Sequence, residues 1–247
     1  MIFIITSMEA KMRKVILFDL DGSLLPQDQE LFTKAYFKEI AKKMATYGYD
    51  PNKIISDIWL GTKNMIKNDG KKTNEEVFWD TFYSIYGEKA IDDRPKFDSF
   101  YENEFDNVKN YLGFDNSCSE IIQKLKNDGY TLILATNPLF PMIAQVKRLN
   151  WSGVDEKYFS YITSYENSSF CKPNLMYYKE ILSKNEIDAS NCIMVGNDVD
   201  EDMICEELGM EVFLLTNCLL NKNNKDISKY SKGTLLDFYN NLSKKNK

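Results

Sequence analysis

Short apolar runs alternate along this chain with polar tips and then with segments of helical period. Lys14 to Asp19 carries Val15, Ile16, Leu17 and Phe18 without interruption, which is how a strand buried on both faces reads. Tyr130 to Thr136 repeats the pattern. It follows a helix whose apolar face is Ile121, Ile122 and Leu125, with Gly129 as its C-terminal stop. Tyr161 to Ser164 reads as a weaker third strand, Cys192 to Val195 as a fourth and Val212 to Leu215 as a fifth. Strands that alternate with helices predict a parallel sheet covered on both faces, and such sheets hold ligands beyond the carboxyl ends of their strands.

Between about Gln27 and Gly113 the period changes. Phe32, Tyr36, Ile40 and Met44 share one helical face, and Ile54, Ile55, Ile58 and Trp59 follow an Asp50-Pro51 start. Phe78, Phe82 and Ile85 stand behind a Thr73/Glu76 capping box, and Phe97, Tyr101, Phe105, Val108 and Leu112 form a last stripe. A segment of this length without strands is too long for a loop. The chain therefore reads as an α/β protein: a Rossmann-like parallel sheet from residues 1–26 and 114–247, with an inserted all-helical cap domain at 27–113. Aromatic stripes of this kind predict core packing rather than a ligand box. Lys63, Lys67, Lys71 and Lys72 predict a solvated face, with steering of an anionic substrate as the alternative. Asn221 to Lys229 reads as a solvated loop, and Leu235 to Leu242 as a last helix on the core. The first strand starts near Lys14 with Met12 directly before it, so residues 1–11 are expected to be a dispensable extension from an upstream start codon.

Composition narrows the chemistry. The 247 residues include no histidine, and the five cysteines are scattered without a CxxC pair. Histidine triads, Cys-His pairs and zinc sites are thereby removed, leaving carboxylates, lysines, hydroxyls and a hard cation. A formal charge of −6 argues against a nucleic-acid surface, and no apolar run reaches membrane-spanning length. The opening residues carry their charges after the apolar stretch, the reverse of a secretory signal. A cytoplasmic protein without nucleic-acid or membrane partners is expected.

The polar tips carry the chemistry. The first strand ends in Asp19-Leu20-Asp21-Gly22-Ser23, the second in Thr136-Asn137 and the fourth in Gly196-Asn197-Asp198, with Asp202 four residues on. Lys172 follows the third strand in a Lys-Pro pair. Each has an ordinary reading alone, as a turn former, strand end, helix cap or surface lysine. Their occurrence in order, each at a predicted tip, does not.

These residues resemble the four motifs of the haloacid dehalogenase superfamily: DxDG[TS], a strand-end Ser or Thr, a Lys often followed by Pro, and an acidic GDx3-4D-like segment. Here they read DLDGS, TN, KP and GNDVDED, and the helical insertion resembles the family's first cap type. The resemblance implies a phosphatase of a small phosphorylated metabolite. Asp19 would be the nucleophile that forms an aspartyl-phosphate, and Asp21 the acid and then the base. Thr136, Asn137 and Lys172 would grip phosphoryl oxygens. Mg²⁺ would be held by Asp19, the Asp21 backbone carbonyl and Asp198, with Asp202 behind them. Family members that act as dehalogenases or phosphonatases lack an acid at the position of Asp21, which favours phosphate esters. A phosphomutase of the same superfamily is the alternative reading, and a receiver-type phospho-acceptor module is a more distant one. Asn197 departs from the motif.

Overall fold

The computed structural model describes residues 14–111 and 117–245. The expectations for residues 1–11 and Met12, the stripe residue Leu112 and the boundary between 113 and 114 lie outside them. Six parallel strands form one sheet: β1 (Val15–Phe18), β2 (Thr131–Leu134), β3 (Tyr161–Ile162), β4 (Cys192–Gly196), β5 (Glu211–Leu215) and β6 (Lys232–Gly233), in the order β3-β2-β1-β4-β5-β6. This is the predicted Rossmann-like sheet. β1 lies between β2 and β4, with Phe18 in register with Leu134 on one side and Val195 on the other. The tips of the first, second and fourth strands are therefore neighbours.

Alternate residues of the strands feed two separate cores, as period-2 geometry requires. Ile16, Phe18, Leu132, Leu134, Ile193 and Val195 face α5 (Ser117–Asn127) and α8 (Leu235–Lys245), where Ile122, Leu125, Phe238 and Leu242 are buried. Val15, Leu17, Ile133, Cys192 and Met194 face α7 (Leu175–Lys184), through Tyr177, Tyr178 and Ile181. Every β1 side chain is buried on one face or the other, which explains why its sequence is an apolar run and not an alternating one.

The insertion is helical throughout: α1 (Gln29–Ala45), α2 (Pro51–Ile66), α3 (Asn74–Tyr86), α4 (Glu88–Glu102) and a 3₁₀ segment Glu104–Tyr111. Asp28 and Asp50 cap the first two helices by accepting backbone N–H groups, Pro51 opens the second, and Thr73 with Glu76 closes the predicted capping box. The last stripe is not one helix. At Asn103 the side-chain amide donates to Ser99 O at 2.8 Å, a local bond that ends α4 and lets Phe105 and Val108 reach the core from a tighter turn.

The block is fastened to the sheet domain through Asn74, which is fully buried. Its backbone N–H donates to Ser168 O and the next one, of Glu75, to Tyr165 O, each at 2.8 Å. Its side chain meets Pro138 O and Cys171 Sγ, both at 3.3 Å. Three differences from the sequence reading concern the core. The third strand stops at Ile162 because Asn167 Oδ1 takes the Ser164 N–H. β6 has no apolar run to announce it. A helix α6 (Met142–Trp151) crosses behind the second strand tip and carries the buried Arg148.

Candidate active site

Strand β1 ends when the Asp19 N–H donates to Val195 O at 2.9 Å, and the chain turns at once. Gly22 has φ +80°, and a Cβ there would stand 2.4 Å from Asn197 Nδ2; conformation and space both demand glycine. The turn closes through Ser23 N–H and Leu25 N–H, both donating to Leu20 O. It sends Leu20 into the core and leaves Asp19 and Asp21 lining one cavity.

Asp19 is buried, with Lys172 Nζ 2.9 Å from Oδ1 and the Ser23 hydroxyl 3.0 Å from Oδ2. Lys172 reaches Asp202 as well, at 2.7 Å. Burial works against the Lys172 charge, but the two carboxylates outweigh it and hold the ammonium protonated well above its ordinary range. Asp202, expected behind the site, is thus a direct partner of its lysine. It fits because residue 196 is glycine: a Cβ there would lie 2.1 Å from Asp202 Oδ2. Burial raises the Asp202 carboxyl, and Lys172 opposes that rise.

Asp21 has different company. Arg148 Nη1 lies 3.0 Å from its Oδ2, and Gln27 Nε2 donates to Oδ1 at 2.5 Å. Removal from water raises the Asp21 carboxyl above its ordinary value, Arg148 pulls it down, and Asp19 adds a further upward push. The repulsion between the two acids is real but smaller than the effect of burial. Arg148 is itself buried, bonded to Gln145 Oε1 and seated 4.7 Å from the centre of the Phe140 ring.

Thr136 is fully buried, and its Oγ1 has no hydrogen-bond partner among the described residues. Its carbonyl is fixed by the hydroxyls of Thr163 (2.7 Å) and Tyr177 (2.8 Å). A buried hydroxyl without a partner is costly unless something else completes it. Asn137 donates to Glu201 Oε2 at 3.3 Å, and its Oδ1 is also unpaired.

The acid cluster of the fourth tip divides. Asp198 lines the cavity, but its Oδ1 accepts the N–H groups of Asp200 (2.8 Å) and Glu201 (3.0 Å), as a turn cap does. Asn197 is linked to Asp19 through the Ser23 hydroxyl, which lies 2.9 Å from its Oδ1 and 3.0 Å from Asp19 Oδ2. Among the described residues no three acidic or thiol side chains converge in a ready-made metal cage. The oxygens lining this end of the cavity, from Asp19, Asn197 and Asp198, are nonetheless the hard donors that Mg²⁺ takes, with no nitrogen or sulfur ligand competing. The donor set fits that cation.

Ser23, Gln27, Arg148 and Glu201 are the site residues not singled out from sequence. Ser23 stood inside the first motif and Glu201 inside the fourth. Arg148 gave no signal beyond a basic residue in an apolar stretch.

The cavity measures about 260 Å³ and runs from these acids to a wall built by the helical block.

Residues 16–215 match the haloacid dehalogenase-like hydrolase family. A phosphoglycolate phosphatase of Vibrio parahaemolyticus is 23% identical over 207 residues, which is 82% of this chain and 83% of the relative. Among solved structures, a 2-haloacid dehalogenase from Pseudomonas syringae superposes with a TM-score of 0.60 at 18% identity, covering 94% of this chain and 99% of that one. The magnesium-bound structure of the HAD-family protein YfnB from Bacillus subtilis gives 0.55 at 19% identity over 94% and 99%.

Proposed function

The chain belongs to the haloacid dehalogenase-like hydrolases, and on that footing we propose that it is a Mg²⁺-dependent phosphatase of small phosphate monoesters. The observation that carries the reading is Asp21: a second carboxyl, lining the same cavity as Asp19, with its affinity for a proton raised by burial. A dehalogenation has no leaving oxygen to protonate and no use for such a group. An ester does.

In this reading Asp19 attacks phosphorus in line, and the bond from phosphorus to the ester oxygen breaks as Asp21 delivers its proton to that oxygen. Asp21, now ionised and held by Arg148 and Gln27, then takes a proton from water. That water attacks phosphorus, and the bond to Asp19 breaks to release inorganic phosphate. The unpaired Thr136 hydroxyl and Lys172 are suited to hold the equatorial oxygens throughout, with Asn137 beside them. Bound Mg²⁺ would offset the repulsion between the phosphoryl group and Asp19; the side chains of Asp19, Asn197 and Asp198 would hold it.

Inorganic phosphate released from p-nitrophenyl phosphate, and chloride released from 2-chloropropionate, separate the two chemistries. Phosphate release that needs Mg²⁺ and stops in excess chelator is expected, without chloride release. Chloride release without phosphatase activity overturns the reading. A sugar-phosphate isomerisation faster than phosphate release would replace it with a mutase.

A further inference from the structure

The part of the cavity distal to the two acids is apolar to a degree that a small anionic substrate does not need. Phe32, Tyr36, Trp59, Phe78, Phe97 and Phe140 line it; the hydroxyls of Tyr36, Thr33 and Thr62 are engaged within the protein, and the buried Trp79 Nε1 is a polar atom of this wall without a partner among the described residues. Tyr36 and Tyr101 bond to each other at 2.8 Å, Thr33 donates to Gln29 O, and Thr62 donates to Ile58 O. The stripes expected to be core are largely buried and yet form this wall; Trp59, expected in the core, is half exposed at its rim.

Charge points the same way. Among the described residues that line the cavity Arg148 is the single lysine or arginine, and its guanidinium is engaged by Asp21 and Gln145. Asp98, Asp198 and Glu201 line it as well. Arg94 lies over Trp79 but is paired with Glu75. A carboxylate or second phosphate on the leaving group would find no free cation and several acids, an arrangement that costs it its hydration without return. The space is ample for a ring: a cavity of about 150 Å³ already admits benzene, and this one is about 260 Å³.

We propose that the leaving alcohol of the substrate is a bulky aromatic or comparably apolar group without negative charge, so that aryl-alkyl phosphates are preferred over phosphoglycolate. The inference rests on the phosphatase reading and goes beyond it by excluding the small anionic substrate class. Discrimination would come from burying ring surface against Trp59 and Phe37, whose rings stand 5.2 Å apart at the partly exposed side of the cavity.

Three substrates test it on the native chain: benzyl phosphate, phosphoglycolate and acetyl phosphate, compared by kcat/KM with Mg²⁺ present. Benzyl phosphate is expected to exceed phosphoglycolate by about a hundredfold or more. Trp59→Ala and Phe37→Ala should each lower the ratio of benzyl phosphate to acetyl phosphate about tenfold. Thr62→Arg, which adds a cation to the wall, should shift the preference toward phosphoglycolate. Hydrolysis of acetyl phosphate together with phosphoglycolate preferred over benzyl phosphate overturns the inference and leaves the phosphatase standing. Failure to hydrolyse any of the three overturns both.

Discussion

Two carboxylates two residues apart would ordinarily repel, and here each has a different environment. Asp19 faces Lys172, while Asp21 is set between Arg148 and Gln27, where burial raises its carboxyl above the ordinary value and Arg148 pulls it down. On the proposed mechanism, Asp21→Asn would remove the base of the second step without touching the nucleophile. With p-nitrophenyl phosphate, whose leaving group needs no proton, the variant should release a burst near one equivalent of nitrophenol and then turn over about 10²–10⁴-fold slower than the parent. A linear trace at the slow rate, without a burst, would contradict the role. That Asp19, Lys172 and Asp202 come together, with Asp21 in the same cavity, was legible in sequence because a strand tip is a recognisable place and their residue types are chemically unusual there. Arg148 was not, since nothing in Val146 to Trp151 tells a buried arginine from one on the surface. The division between Asn197 and Asp198 was not legible either. Asn197 and Asp198 both line the cavity, and that Asn197 shares the Ser23 hydroxyl with Asp19 while Asp198 caps the following turn depends on where Ser23 sits.

Elements with a strong period were readable, and short ones were not. Helices α1 to α3 declared themselves by spacing and caps, whereas β6 spans two residues whose pairing comes only from β5 beside it. Two predictions belong at this scale. Asn74 fastens α3 to the segments that carry Pro138 and Cys171. Asn74→Ala takes this donor from Pro138 O in a dry interior, leaves Cys171 Sγ with Met65 O alone, and should cost about 1–3 kcal/mol in urea unfolding; an unchanged midpoint would show that the fastening contributes nothing. In α4, Asp93 is buried, which by itself would raise its carboxyl, but Lys89, Lys96 and Tyr49 outweigh this and lower it to about 2. A folded value below the unfolded one of about 4 means stabilisation that is complete above that unfolded value. It is lost as pH falls through the interval between them. Asp93→Asn should therefore destabilise the protein near pH 7 by about 2 kcal/mol, with the gap from the parent shrinking as pH approaches 2. A gap that stays constant over that range would rule out the ion pairs as its source.

At the scale of the molecule, residues as far apart in sequence as Asp19 and Asp202 meet because β1 is central and parallel to both neighbours. The helical block then closes the space above them. Its aromatic stripes share one cluster of buried residues with Phe18 and Leu20, so packing and the cavity wall use the same side chains. A period of 3.6 residues reports burial and cannot say whether a buried ring faces another ring or a void, so spacing alone predicts core where the structure has a wall. The lysines at 63, 67, 71 and 72 are exposed and absent from the cavity lining; Lys71 pairs with Asp69 and Lys72 with Asp80. They form the solvated face their spacing suggested. No helix among the described residues is long and apolar enough to cross a membrane.

The proposed mechanism turns on one bond, between Asp19 and phosphorus. The direct measurement is mass spectrometry of peptides from protein quenched in acid during turnover of p-nitrophenyl phosphate with Mg²⁺, in the Asp21→Asn variant, where the intermediate should accumulate. Phosphate carried on Asp19, and absent when Asp19→Asn is added to the same variant, is the predicted result. Phosphate on any other residue, or none on a protein that is turning the substrate over, would contradict the account.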